Sequence, residues 1–192
     1  MGEKVLQIVE KDDYLLLLPQ HIEAKIVVGA DGINSMVRKF MGLKMPKYGI
    51  AVAGILKEKM ENIRIEVMRK VIPYGYSWVF PKKKECNIGV GSLKSIFLLK
   101  YLSSFQKRFP EVKIWKSGLV PLSYPIRSYG KNTILVGDAA SQTISVVGAG
   151  NLSSMICAKI AAESLVKASR SNFEAKSMCL YEKMWKSYSY GN

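Results

Sequence analysis

The chain reads as an α/β protein, α+β overall, with an antiparallel layer inserted into it, and three observations carry that reading. Two continuous apolar runs, Ile26-Val27-Val28 and Ile134-Leu135-Val136, each end in a glycine and acid turn and lead into a helical pattern. Such runs suit parallel strands buried on both faces. Between them, from Tyr48 to about Val120, apolar and polar residues alternate, as antiparallel strands with one wet face do. The expected organisation is an open α/β portion from residues 1–45 and 131–192 and a β-rich layer with one helix from 46–130.

Element by element, "KVLQIVE" and "YLLLLP" flank Lys11-Asp12-Asp13 and predict a hairpin with an acidic turn. His21 then reads as a surface residue before a strand. After Ile26–Val28 comes the turn Gly29-Ala30-Asp31-Gly32, and Ser35 can cap a helix from about Met36 to Met41, stopped by Gly42 and Pro46. "IAVAGILKEKM", "IRIEVM", "YSWVF" and "CNIGVG" predict the inserted strands. Leu98, Leu99, Leu102, Phe105 and Phe109 fall at three-and-four spacing and predict a helix over about Ser95–Phe109. A strand in "VKIWKSGLVPL", the buried run "TILVGD", and helices over about Ala149–Ala168 and Phe173–Tyr188 complete the chain. Ala158, Ala161 and Ala162 are small enough for the first of these helices to pack closely on a sheet.

Composition narrows the class. Of 192 residues 48% are hydrophobic, so the chain is globular rather than disordered. Lys and Arg number 29 against 15 Asp and Glu, a net +14 that favours phosphate-bearing partners. The cations are spread from Lys4 to Lys186 without a long block, so a nucleic-acid-binding module ranks lowest and no nucleic-acid partner is expected. Cys86, Cys157 and Cys179 are far apart, read as free thiols of a reducing compartment, and leave no ligand set for a structural metal. The first residues lack a sustained apolar region, and no run reaches the roughly 20 residues that span a bilayer. The expected location is the cytoplasm, with any membrane contact peripheral.

Candidate site residues cluster in two places. Asp138 follows the second buried run through Gly137, and a loop later Gly148-Ala149-Gly150-Asn151 opens a helix. A glycine-opened helix presents unpaired N–H groups and a positive dipole end, and Asp138 can bond sugar-like hydroxyls. These residues suit a polyol-linked heterocycle; equally, Asp138 caps a loop and the glycines only permit a tight helix entry. The dinucleotide fingerprint fails on context, because the glycines do not follow their strand directly and no acid-ended strand follows. In "PYGYSWVFP", Tyr76, Trp78 and Phe80 alternate and so share one side of a strand, as an ordinary core face or as a wall for an apolar ligand.

Three segments resemble known flavoproteins. "VVGADGINSMVRK", with Asp31 and Gly32, is similar to the strand-turn-helix segment of flavoprotein reductases and hydroxylases, and "LVGDAASQTISVVGAG" to their later glycine-aspartate segment. "PYGYSWVFP" matches the more specific P-x-x-Y-x-W-x-F-P signature of the geranylgeranyl reductase family, in its archaeal, digeranylgeranylglycerophospholipid reductase-like type, through Pro73, Tyr76, Trp78, Phe80 and Pro81. The resemblance covers essentially the whole chain and implies the C-terminal part of a glutathione-reductase-like or hydroxylase-like FAD-binding fold. It implies FAD as cofactor, with Asp138 on the ribityl chain and the Gly148–Asn151 helix start toward the isoalloxazine. The implied substrate is a prenyl lipid or prenyl diphosphate, whose isolated double bonds FADH2 reduces, beside a wall of Tyr76, Trp78 and Phe80.

The departures bear on function. Family members begin with a glycine-rich βαβ segment for the ADP half of FAD, and this sequence starts after it; the expectation is a truncated or split chain, with a second polypeptide as the candidate source of that segment. Alone it is expected to be inactive and to hold FAD weakly. Ser145, Ala149 and Ser154 stand where the family commonly has a proline or basic residue, a glycine and a glycine. The competing readings are a fragment of an FAD-dependent aromatic hydroxylase and a non-catalytic remnant or partner subunit without FAD. No catalytic residue is assigned.

Overall fold

The computed structural model describes residues 3–67, 69–123, 126–144 and 148–188, so the departure at Ser145 lies outside the described residues. The chain forms two units, Met1–Lys47 with Pro121–Asn192, and Tyr48–Val120. The return to the first unit comes at Pro121 rather than near residue 131. The intervening segment is bonded into that unit: Leu122 N–H donates to the Lys47 carbonyl at 2.8 Å and Ile126 N–H to the Ala140 carbonyl at 3.1 Å.

The first unit opens with β1 (Gln7–Glu10), β2 (Leu15–Leu18) and β3 (Ile22–Ala24), an antiparallel meander. The Lys11-Asp12-Asp13 turn closes as expected, with Lys11 N–H donating to the Tyr14 carbonyl at 2.9 Å. β3 is an addition to the sequence reading. His21, exposed and at positive φ (55°), forms the turn that precedes it. Next come β4 (Val27–Gly29) and α1 (Met36–Phe40), both where the residues place them.

The second unit contains β5 (Tyr48–Leu56), β6 (Arg64–Glu66), β7 (Gly75–Pro81), β8 (Cys86–Ser92), α2 (Ser95–Lys107) and β9 (Trp115–Pro121). Its sheet has the order β6-β7-β8-β5-β9. Period-2 alternation assigns the faces: Ser77, Val79, Ile88, Val90 and Val52 are buried on one side, where Leu98 and Phe105 of α2 cluster with Val52 and Val90. Leu99 departs from the expected stripe. It is 68% exposed, one position round the helix from the buried Leu98.

The chain returns through β10 (Tyr129–Gly130), β11 (Thr133–Leu135), α3 (Asn151–Ser169) and α4 (Ala175–Ser187). β4, β11 and β10 form a small sheet in which β11 is central and β4 an edge. Ile134 and Leu135 are fully buried as predicted, but Val28 is 43% exposed. An edge position explains the difference, because nothing among the described residues covers that side of β4. α3 buries Cys157, Ile160, Ala161, Ser164 and Ala168, so of the three alanines expected to face the sheet only Ala161 does; Ala158 and Ala162 lie on the wet side of the turn. α4 completes the core with Met178, Tyr181 and Trp185. Trp185 Nε1 donates to Ser128 Oγ at 2.7 Å, and Glu182 Oε2 accepts from Ser128 N–H at 2.7 Å.

Candidate functional site

The site in the first unit follows from one pairing. β4 and β11 run parallel with Val27 opposite Thr133 and Gly29 opposite Leu135, so both strands end at the same edge of the sheet. Each then breaks into its glycine and acid turn there. Carboxyl ends of neighbouring parallel strands are where open α/β sheets bind ligands. The close fit of α1 needs Gly29: a Cβ there would lie 2.7 Å from Val37 Cβ and 2.8 Å from Leu135 Cδ2.

In the first turn, Gly32 has φ +73°, a region glycine enters without cost. Asp31 does local work, its Oδ2 accepting from Met36 N–H at 2.6 Å. Ser35 Oγ accepts from Arg38 N–H at 2.9 Å, so the start of α1 holds two side-chain acceptors. Arg38 itself is buried and ties the two turns together. Its Nη2 donates to the Ile33 carbonyl and its Nη1 to the Ala139 carbonyl at 3.4 Å. Burial pushes this guanidinium below its ordinary pKa, with Asp31 drawing it partly back. The sequence alone does not mark out Arg38, because a cation on so short a helix ordinarily points to water.

In the second turn, residues Gly137–Ala140 form one 3-10 turn. Gly137 has φ +67°, and a Cβ on it would meet Ser154 Oγ of α3 at 2.8 Å. Gln142, also unforeseen, staples the turn from beneath. Its Oε1 accepts from Gly137 N–H at 2.8 Å, and its Nε2 donates to Tyr181 OH at 2.9 Å, which donates in turn to the Leu135 carbonyl at 2.9 Å. Every member is buried, so the geometry is held strongly.

Asp138 projects from this turn, half-buried, and burial pushes its carboxyl pKa up. No side chain among the described residues hydrogen-bonds it. Against it lies Gly150: a Cβ added there would stand 3.2 Å from Asp138 Oδ1. Asp138 and the glycine-opened helix are thus brought together, as the residues suggest. α3 starts at Asn151 rather than Ala149, because Gly148 turns at φ +64° and the Ala149 carbonyl accepts from Ile144 N–H at 2.9 Å. Among the described residues no side chain caps α3, which leaves its first N–H groups open to an acceptor.

The aromatic residues belong to the second unit. Tyr76, Trp78 and Phe80 stand on one side of β7, with ring centroids 5.6 and 6.0 Å apart along the row. They take no part in that unit's two core clusters. Trp78 lies over Gly89 of β8, where a Cβ would come within 2.3 Å of Cζ2, and its Nε1 donates to Asn87 Oδ1 at 2.7 Å. Neither Asn87 nor Gly89 is marked out by the sequence alone; "NIGVG" reads simply as strand. Burial raises the Tyr76 hydroxyl pKa.

The chain is similar to known proteins in sequence and in fold. The chain is 31% identical over 188 residues to a digeranylgeranylglycerophospholipid reductase of Methanocaldococcus jannaschii, covering 88% of this chain and 48% of the relative. It is 35% identical to the reductase of the same name from Methanosarcina acetivorans, covering 86% and 46%. The chain is a homologue of these reductases. It spans about half the length of the curated relatives it matches. A geranylgeranyl bacteriochlorophyll reductase-like protein from Thermoplasma acidophilum superposes with TM-score 0.80 at 23% identity, over 95% of this chain and 53% of that one. A probable FAD-dependent monooxygenase from Pseudomonas aeruginosa does so with TM-score 0.68 at 18% identity, over 94% and 58%. The fold is therefore the mixed α/β fold of flavin-dependent reductases and monooxygenases. No protein-family model matches the chain.

Proposed function

We propose that the chain supplies the flavin end and the substrate layer of an FAD-dependent reductase of geranylgeranyl or other polyprenyl chains, carried on a membrane lipid or a prenyl diphosphate. The observation that carries this is the alignment of the two turns at one sheet edge, with Asp138 against Gly150 at the start of α3 and, among the described residues, no side chain bonded to that carboxylate or capping that helix.

The residues present fit the cofactor's polyol and ring. Asp138 would accept from ribityl hydroxyls, and the open N–H groups beginning α3 would face the electron-rich edge of the isoalloxazine. Gly137 and Gly150 keep the approach free of Cβ atoms. Arg38 holds the two turns in register and Gln142 fixes the second, so these groups need no rearrangement when a ligand arrives. Reduced FAD supplies hydride to an alkene carbon. The row of Tyr76, Trp78 and Phe80 would lie along the prenyl chain, excluding water and fixing which carbons are presented. The adenosine half of FAD would be held by residues outside this sequence, on the same or a second polypeptide.

The test joins the chain to a polypeptide bearing a glycine-rich βαβ segment and supplies FAD, a reductant and a geranylgeranyl lipid. Mass spectrometry should show two hydrogens gained per double bond. Oxygen incorporated into an aromatic substrate instead, with the prenyl chain untouched, would favour the hydroxylase reading and overturn this one.

A further inference from the structure

One end of the second unit is both apolar and cationic. Gly75 pairs with Ser92, Leu93 N–H donates to the Tyr74 carbonyl at 3.1 Å, and Ser92 Oγ donates to the Pro73 carbonyl at 3.0 Å. Residues 69–75 and the start of α2 are therefore one continuous surface, anchored from within by Ile72 and Leu98 in a shared core cluster. From that surface project Tyr74, Ile96 and Leu99, exposed by 71, 60 and 68%, with Leu93 beside them. Around them Arg69, Lys70, Lys94 and Lys100 are all exposed. From Val67 to Pro110 the sequence holds one carboxylate, Glu85. It sits in the β7–β8 turn at the opposite end of the sheet, paired with Lys82 at 3.5 Å.

We propose that this end docks on an anionic lipid bilayer, with Ile96, Leu99 and Tyr74 entering the boundary between headgroups and acyl chains and the four cations among the headgroup phosphates. Charge selects this partner. Two copies would bring cations against cations, and with Leu93, Ile96 and Leu99 exposed beside the single ring of Tyr74 the surface is mainly aliphatic, which suits acyl chains rather than stacked bases. Among the described residues no helix is long and apolar enough to cross a membrane, so the contact is interfacial. Its purpose rests on the reductase reading. Tyr76, the first of the aromatic row, pairs with Gly91 immediately beside the Gly75–Ser92 pair, so a prenyl chain drawn from the bilayer at this end meets the row at its start.

The experiment is flotation of the 192-residue chain with vesicles of phosphatidylcholine, with and without phosphatidylglycerol, through a density gradient in which aggregate sinks. Floating with the anionic vesicles alone, weakened by salt, is the expected result. Ile96→Ser with Leu99→Ser, and Lys70→Glu with Lys94→Glu, should each reduce the bound fraction roughly tenfold. Lys83→Glu with Lys84→Glu, at the other end of the sheet, should leave it unchanged. Leu99→Trp should be quenched by lipids brominated on the acyl chain, a reading that needs no loss-of-binding variant. Equal loss from the Lys83 and Lys84 changes, flotation without anionic lipid, absence of quenching, or self-association abolished by the Ile96 and Leu99 changes would each overturn the proposal. Neither prenyl chain nor flavin enters this experiment, so its failure leaves the reductase reading standing, and the reverse holds too.

Discussion

Gly150 stands against Asp138 so closely that a methyl group would lie 3.2 Å from the carboxylate and 3.1 Å from Thr143 Cγ2. The backbone at Gly150 is right-handed helical (φ −112°, ψ −20°), so a side chain there meets crowding but no backbone strain. Gly150→Ala should be tolerated with a shift of a few tenths of an ångström. Gly150→Val should displace Asp138 and weaken flavin binding by roughly tenfold while costing only about 1–3 kcal/mol of stability, the usual range for overpacking. Flavin fluorescence titration and thermal unfolding of the same sample separate the two effects.

Gly137 carries two constraints at once, a left-handed backbone and the approach of Ser154. Gly137→Ala should destabilise the fold by about 1–3 kcal/mol from backbone strain alone, with the contact at 2.8 Å adding to it. Ser154→Ala should remove the 2.8 Å contact while leaving its own Cβ at 3.3 Å and the backbone strain, so the double variant should recover part of the loss. Denaturant midpoints of the three variants give the coupling; full recovery would mean that φ +67° costs nothing here.

Asp138 predicts a pH dependence. Its carboxyl pKa is raised by burial, so the folded state holds that proton more firmly than the unfolded chain. The sign follows: its protonated form is the better tolerated one, and stability from this group is lost as pH rises through the raised pKa. Asp138→Asn should therefore melt higher than the parent at neutral pH, with the gap closing below the ordinary carboxylate range. An unchanged gap at acidic pH would locate the effect elsewhere.

How much of this was legible in the sequence differs by feature. The strand, turn and helix at Val27–Phe40 and the strand and turn at Thr133–Ala140 were written in continuous apolar runs broken by glycine. The aromatic row was written in the alternation of Tyr76, Trp78 and Phe80. What the sequence withheld depends on partners distant in the chain. Arg38 reaches Ala139, Gln142 reaches Tyr181, and Trp78 settles on Gly89; no local pattern announces such contacts. Leu99 misled because the edge of the apolar stripe falls between Leu98 and Leu99, and three-and-four spacing does not say on which side of a residue that edge lies. Val28 misled because a run buried on both faces and a run at a sheet edge can have the same letters.

Trp78 offers a check on the substrate layer by itself. Gly89→Ala would put a Cβ inside the ring contact, and Asn87→Ala would leave the indole N–H without its acceptor at 2.7 Å. Both should alter the indole N–H resonance of Trp78, assigned with Trp78→Phe, while Trp115 and Trp185 keep theirs. Asn87→Ala should move that resonance upfield and speed its exchange. Unmoved resonances in both variants would show that the ring is held by something else.

On the proposed function, Asp138 and its neighbours hold the flavin end of FAD while other residues hold the adenosine end. The most direct measurement is the visible absorbance of purified protein in three forms: the chain alone, the chain joined to a glycine-rich βαβ segment, and the joined form carrying Asp138→Ala. The first sample should be colourless or weakly coloured and the second yellow, and the third should lose most of its flavin while keeping its thermal unfolding transition. A stoichiometric yellow monomer from the chain alone, or a joined Asp138→Ala form as yellow as its parent, would contradict it.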